Sequence, residues 1–219
     1  MSNYLLEFQL ESDAAFGRGD GVAGVVDAEV QHDDLGCPYL GGRALKGLLV
    51  QECADILAAL PPATRPRWDN AAARIFGRPG STLGDAAIMS VGNAQLPADL
   101  RRAVERDVRR DQIGRTQVLE SLTAVRARTA IEQSGVPKPG SLRTLRVVLR
   151  GTRFEAALRF AQEPTEYDLA LLAACVKAFR SAGTGVHRGS GRLKAHLLDP
   201  ARERIEDRFF ANFRAGVTT

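Results

Sequence analysis

Tyr4, Leu6, Phe8 and Leu10 alternate with Leu5, Glu7, Gln9 and Glu11. A period of two with one apolar face predicts a half-buried strand, so the chain is committed to a sheet almost from its first residues. The period then lengthens. From Arg43 to Leu60, the residues Leu45, Leu48, Leu49, Cys53, Ile56 and Leu57 fall on one helical face, and Pro61-Pro62 stops the helix. Leu145, Val147 and Leu149 predict another strand, and Phe154, Ala156, Leu158 and Phe160 a further one. Thr165 is placed to cap a helix with Asp168 at the capping-box position. That helix buries Leu169, Leu172, Val176 and Phe179 and ends before Gly183. Leu193, Ala195 and Leu197 alternate with Arg192, Lys194 and His196 in a last strand. The tail, with Ile205, Phe209, Phe210 and Phe213, reads as a short amphipathic segment.

With its middle stripped away, the chain runs strand, helix, strand, strand, helix, strand. This is the α+β, ferredoxin-like plan (βαββαβ), which RNA-recognition modules also use. The plan by itself names no function. In the middle, residues 61–85 read as irregular, with Pro66, Trp68 and the run Ile75-Phe76-Gly77-Arg78-Pro79-Gly80. A short strand from Ala87 to Val91 follows, then an exposed, densely charged helix from Pro97 to Gln112. Between Arg115 and Pro139 the periodicity weakens. Arg126 and Arg128 bracket Ala127 there, and the stretch reads as a flexible hairpin or arm.

A length of 219 residues is read as one domain over 1–219. An insertion occupies about 61–115 and the arm about 115–140. The formal charge of +4 and isoelectric point near 9.2 permit a polyanionic partner without demanding one. Cys37, Cys53 and Cys175 are widely spaced and make no CxxC pair, which argues against a disulfide framework or zinc site and favours a reducing cytoplasm. The strand pattern at the start leaves no leader peptide, and no apolar run approaches a membrane span. A soluble, cytoplasmic protein is expected.

Two segments carry the chemistry. In Gly24-Val25-Val26-Asp27 a lone carboxylate lies just beyond a glycine-rich loop, residues 14–24. In Gly36 to Gly47 a Pro/Gly turn delivers Arg43 and Lys46 into the first turns of a helix, where N–H groups and cations attract phosphate. Together they suggest an acid held close to a polyanion. For Asp27, a turn residue chosen for local hydrogen bonding is the competing reading. His32, Asp33 and Asp34 are adjacent on an extended segment and chelate one ion poorly, so a solvated turn is preferred. The loop Gly183 to Gly191 lacks Gly-Lys-Ser/Thr and precedes a strand, which argues against a nucleotide loop. Phosphate contact and a plain tight turn both remain open for it. His32, His187 and His196 lie in no recognisable catalytic pairing.

These residues, in this order, resemble the repeat-associated (RAMP) superfamily, and within it the guide-RNA-binding backbone subunit of type III CRISPR interference complexes. Gly24-Val25-Val26-Asp27 resembles that family's Gly-x-Ile-Asp turn. Val30-Gln31-His32-Asp33 with Gly36-Cys37-Pro38 resembles its Val-Ile-Arg-Asp…Gly-x-Pro segment. Gly42 to Gly47 resembles its Gly-Ser-Ser-Leu-Lys-Gly, Ile75-Phe76-Gly77 its Leu-Phe-Gly, and Arg126 to Ile131 the basic run leading into its thumb-like hairpin. Gly183 to Gly191 resembles its C-terminal glycine-rich loop. The chain departs from the pattern at Gly41, where the family has Pro, at Arg43-Ala44, which replaces a Ser pair, and at Thr184, which interrupts a double glycine.

The resemblance implies a catalytic Asp27 that cleaves guide-paired, single-stranded target RNA with Mg2+ or a similar divalent cation held at Asp27. It implies RNA contacts by Arg18, Arg43, Lys46, Arg126 and Arg128, and by Gly183, Gly185, His187, Arg188, Gly189 and Gly191 of the loop. Expected partners are CRISPR guide RNA, target RNA and other subunits of the effector, including copies or paralogues of this chain, with no membrane. A non-catalytic structural paralogue and a guide-RNA-processing endoribonuclease are the alternatives.

Overall fold

The computed structural model describes residues 3–17, 19, 21, 26–78, 86–130, 132, 135, 136 and 138–218. Four strands form one antiparallel sheet. They are β1 (Asn3–Leu10), β2 (Met89–Val91), β5 (Arg153–Phe160) and β6 (Leu193–Leu198), in the order β2-β5-β1-β6. With helix α1 (Gly42–Ala59) between β1 and β2, and α5 (Glu166–Ala178) between β5 and β6, this is the ferredoxin-like palm. The alternation in β1 is realised: Leu6, Phe8 and Leu10 are buried, and in β5 so are Phe154, Ala156, Leu158 and Phe160. Phe8 stacks on Phe154 and meets Phe179 edge-on, joining the sheet to the end of α5. Helix α5 is apolar nearly all round, because it lies in the middle of the helical layer against α1, α2 (Arg65–Phe76) and α6 (Glu206–Thr218). Its start is the expected capping box: Asp168 N–H donates to Thr165 Oγ1 at 3.2 Å, and Thr165 N–H donates to Asp168 Oδ2 at 2.8 Å.

Two expectations are corrected. Residues 65–76, read as irregular, form helix α2. Pro66 stands in its first turn, where a missing N–H costs nothing, and Trp68, Ala71 and Ile75 make one buried face. The second correction concerns the palm. Residues 143–148 alternate like a palm strand, yet β4 (Arg143–Val148) pairs with β3 (Thr123–Arg128) in a separate two-stranded sheet. The fourth palm strand is the three-residue β2, from the middle of the chain. Residues 98–109 form α3, and residues 115–122 form α4 immediately before β3.

The β3–β4 sheet is attached to the palm by the chain on either side of residues 18–25. Ala14 and Val148 exchange backbone hydrogen bonds at 2.7 and 3.0 Å, and Ala28 forms a parallel bridge with Leu145. Under that junction lies an ion pair. Arg146 Nε approaches both oxygens of Glu29, at 3.0 and 3.1 Å, with side-chain exposures of only 12% and 4%. Glu29 Oε1 also accepts from Val30 N–H, and Arg146 reaches Thr123 Oγ1.

At the other end of the palm, α6 is fastened over the free edge of β6. Glu206 is buried and accepts from Leu197 N–H at 3.2 Å and from His196 Nδ1 at 2.7 Å. Ile205 N–H donates to Leu197 O, and Leu193 N–H donates to Arg180 O. No helix among the described residues is long and apolar enough to cross a membrane.

Truncating one partner of a buried ion pair strands the other. Glu29→Ala is expected to lower unfolding stability by about 3–5 kcal/mol. The double change Glu29→Leu with Arg146→Met should recover most of that loss in chemical denaturation. A single substitution costing less than ~1 kcal/mol would show that the pair does not hold the junction.

Candidate nucleic-acid interface

The glycine-rich turn into α1 is explained largely by packing. A side chain at Gly42 would collide with the Val91 carbonyl oxygen, so only glycine lets the helix start against β2. Its N–H is already given to Asn93 Oδ1 at 2.8 Å. Arg43 is exposed on the first turn. Lys46 points the other way: Nζ donates to Met89 O at 3.2 Å, and burial pulls its pKa below the ordinary lysine value. Asp33 organises the preceding turn. Its Oδ1 accepts from Leu35 and Cys37 N–H at 2.9 and 3.0 Å, and its Oδ2 pairs with Arg101 at 2.8 Å. Burial, with Asp33 beside it, pushes the Cys37 thiol up to about 11, which leaves it neutral and unreactive at physiological pH.

The remaining basic residues converge. Arg126 and Arg128, two apart on β3, share one face and look toward the loop after α5. That loop contains a single 3-10 turn, Val186–Arg188, flanked by Gly185 and Gly189 in left-handed conformation. Gly183 and Gly191 also have positive φ. Arg128 Nη2 donates to Ser190 Oγ at 2.6 Å, and a side chain at Gly185 would lie 2.8 Å from Arg128 Nη1. Gly185 therefore leaves the space that the guanidinium fills. Arg126 Nε and Nη2 both donate to Asp13 Oδ2, at 3.1 and 2.9 Å. Between arm and loop runs a groove of about 640 Å³ lined by Arg126, Arg128, Arg150, Arg188, Asp13 and Ser190. His187 is exposed on the same loop. Arg150 and Ser190 are additions that periodicity could not supply. The groove gathers Arg126, Arg128 and the loop, but not Arg43 or Lys46, and Arg18 lies outside the described residues.

Asp27 is on the opposite side of β4. It is exposed, and its backbone and side chain both grip Thr144. Asp27 N–H donates to Thr144 O at 2.9 Å, while Oδ2 accepts from Thr144 N–H at 2.6 Å and from its hydroxyl at 3.1 Å. These hydrogen bonds, the backbone one foremost, with the nearby Arg143 charge, hold the carboxyl below the usual aspartate range. Oδ1 takes no hydrogen bond among the described residues. Thr144 faces Ala127 on β3, so Asp27 and the β3 arginines are separated by the width of about two strand spacings, ~10 Å. Among the described residues no group of three His, Cys, Asp or Glu side chains is placed to hold a metal ion.

The open face of the palm offers no alternative platform. On β1 and β5 it carries Leu5, Glu7, Gln9, Arg153, Glu155, Ala157 and Arg159, none of them aromatic, and the His196 ring opposite Glu7 on β6 is largely covered and tied to Glu206. Glu7 and Glu155 stand directly opposite one another and are paired with Arg204 and Arg202, respectively.

No curated protein matches the chain in sequence. In fold it is similar to a chain in the cryo-EM structure of the Type III-B Cmr-beta bound to cognate target RNA, with a TM-score of 0.64 and 13% identity over 89% of this chain and 96% of that one. A chain of the Type III-B Cmr-beta in its apo state gives a TM-score of 0.63 at the same identity and coverage. At that identity the likeness concerns the fold. A sequence profile of the RAMP superfamily matches residues 7–194, a span that takes in β2, β5, part of β1, the arm and both walls of the arginine groove, and the chain belongs to that superfamily.

Proposed function

We propose that the chain is a guide-RNA-binding backbone subunit of a type III CRISPR ribonucleoprotein. In this reading residues 1–219 form one domain whose palm carries a thumb-like arm over about 115–140. The observation that carries it is the convergence of Arg126, Arg128, Arg150 and Arg188 with the glycine-rich loop in one groove. Guanidinium groups take phosphate oxygens in pairs, and four of them lining a groove follow a backbone without reading its sequence. Sequence recognition is then left to pairing between the guide and its target. Val136 and Leu142, between β3 and β4, are more than half exposed, and apolar side chains of this kind suit wedging between stacked bases.

Asp27 is proposed to promote cleavage of the target strand. Its distance from the groove suits a division in which one strand is held by arginines and the other is presented across the arm. Thr144 fixes the carboxylate through Oδ2 and leaves Oδ1 without a hydrogen bond among the described residues. A single carboxylate fits the ligand habit of Mg2+, which binds through one or two carboxylates together with substrate phosphate and water. Asp27 would hold such a cation, which supplies charge neutralisation at the scissile phosphate. The chain's own part is to keep the acid ionised and aimed, which the Thr144 N–H and hydroxyl do. The same two hydrogen bonds also favour a second reading, in which Asp27 only braces the arm and the subunit binds RNA without cutting it.

Asp27→Ala in the assembled complex separates these readings. Target cleavage at the sites served by this subunit should fall by at least ~100-fold, while guide retention stays within about twofold. Undiminished cutting at every site would leave Asp27 with the bracing role. Thr144→Val should raise the Asp27 pKa as followed by carbonyl-carbon NMR, though not to the ordinary value, because the Thr144 N–H remains. Its sign follows from the linkage: a donor that favours the charged form is removed, so protonation begins at higher pH. Arg126→Ala with Arg128→Ala should weaken binding of single-stranded RNA at least tenfold and flatten its salt dependence by about 1.4 in log–log slope.

A further inference from the structure

The arginine groove is not empty of anions. Asp13, just beyond β1, projects a carboxylate into it, and that carboxylate is fully engaged. Oδ1 accepts from Arg150 N–H at 3.1 Å, and Oδ2 takes both Nε and Nη2 of Arg126. The Nε–Nη2 edge is one of the two forks by which a guanidinium grasps a phosphate. Asp13 therefore sits where a phosphate would sit on that edge. Arg126 is half-exposed whereas Asp13 is mostly covered, so the arginine is the partner free to turn away. Arg128 differs: its contact is the neutral Ser190 hydroxyl, which does not compete with a phosphate for charge. Arg150 and Arg188 have no ion-pair partner at contact distance among the described residues, so Asp13 pairs directly with one guanidinium of the four, although the Arg150 charge and N–H also favour its ionised form.

We propose that Asp13 is an internal stand-in for an RNA phosphate: it holds Arg126 on the palm until RNA arrives, and Arg126 exchanges the carboxylate for the RNA backbone when the groove fills. The inference rests on the reading of the groove as an RNA site. Its consequence is that RNA binding releases one tie between the arm and the palm, since Arg126 belongs to β3 and Asp13 follows β1. A device of this kind makes occupancy of the groove and the setting of the arm interdependent. It also discriminates against weak anions, because a ligand must outcompete a carboxylate already in place.

The experiment uses the full chain and a labelled oligouridylate, with affinity read by fluorescence anisotropy across a salt series. Asp13→Asn keeps the oxygen that accepts from Arg150 N–H and removes the charge. It is expected to tighten binding several-fold because RNA no longer displaces a charged competitor, while the log–log salt slope stays close to that of the wild type, since Arg126 reaches a phosphate in both proteins. In an Arg126→Ala background the same substitution should give no tightening. Equal tightening in both backgrounds would make Asp13 a bulk charge and overturn the proposal, as would no tightening or a loss in the wild-type background. If Arg126→Ala alone leaves RNA affinity unchanged, the groove itself is not the RNA site and that reading fails first. A second measurement needs no substitution at Asp13. The Arg126 Nε–H resonance of the wild-type chain should shift on titration with the oligouridylate, and an unmoved resonance at saturation overturns the exchange.

Discussion

Everything proposed for this chain turns on the pairing of Glu29 with Arg146. The charge pair is buried at the junction where residues 26–30, β4 and the start of β3 come together, and its geometry satisfies both carboxylate oxygens. Asp27 is two residues from Glu29 and grips Thr144, which is two residues from Arg146. One ion pair therefore sets the register for the acid. It also sets the position of β3, and through β3 that of Arg126 and Arg128. A buried pair is costly to desolvate and contributes little net stability compared with an apolar contact, but it tolerates few alternative registers. Register is what an arm standing away from the palm core needs most.

The palm contributes differently. Its core of interleaved aromatic and aliphatic residues is generic to the plan, and its open face is a mosaic of opposed charges on which the His196 ring is tied to Glu206. A sheet of this kind does not read bases as an RNA-recognition module does. The cationic groove lies at the edge of the palm, between the arm and the loop after α5, where phosphate rather than base is the natural ligand. Membership of the RAMP superfamily and the arginine groove thus agree with each other through independent observations, one from sequence over residues 7–194 and one from geometry.

The alternation in β1 and β5, the apolar face of α1 and the capping box of α5 are all legible in the sequence, because each is a local pattern with a local cause. Helix α2 was hidden by its proline, which marks a helix start as readily as a loop. Strand β2 was assigned but not placed in the palm, since three residues carry too little periodicity to compete with the longer alternation of β4. In the site, Asp27, Arg126, Arg128 and the loop were visible as residue types in a recognisable order. Their partners were not. Thr144 lies 117 positions from Asp27 and Asp13 lies 113 positions from Arg126, and neither threonine nor aspartate advertises such a contact. Lys46 was visible too, but its direction was decided by the Met89 carbonyl on a strand far along the chain.

The fastening of α6 over β6 bears on how such a chain can meet its neighbours. A sheet edge with free N–H and C=O groups invites another strand to extend it. Here the outward-pointing groups of Leu193 and Leu197 are answered from within, by Arg180, Ile205 and the buried Glu206 carboxylate. The opposite edge is a strand of only three residues. At its β6 edge the palm sheet is thus closed to a further strand, so a neighbour that packs there meets side chains and not a free ladder. A contact of that kind leaves each folded chain complete in itself, with no strand lent or borrowed.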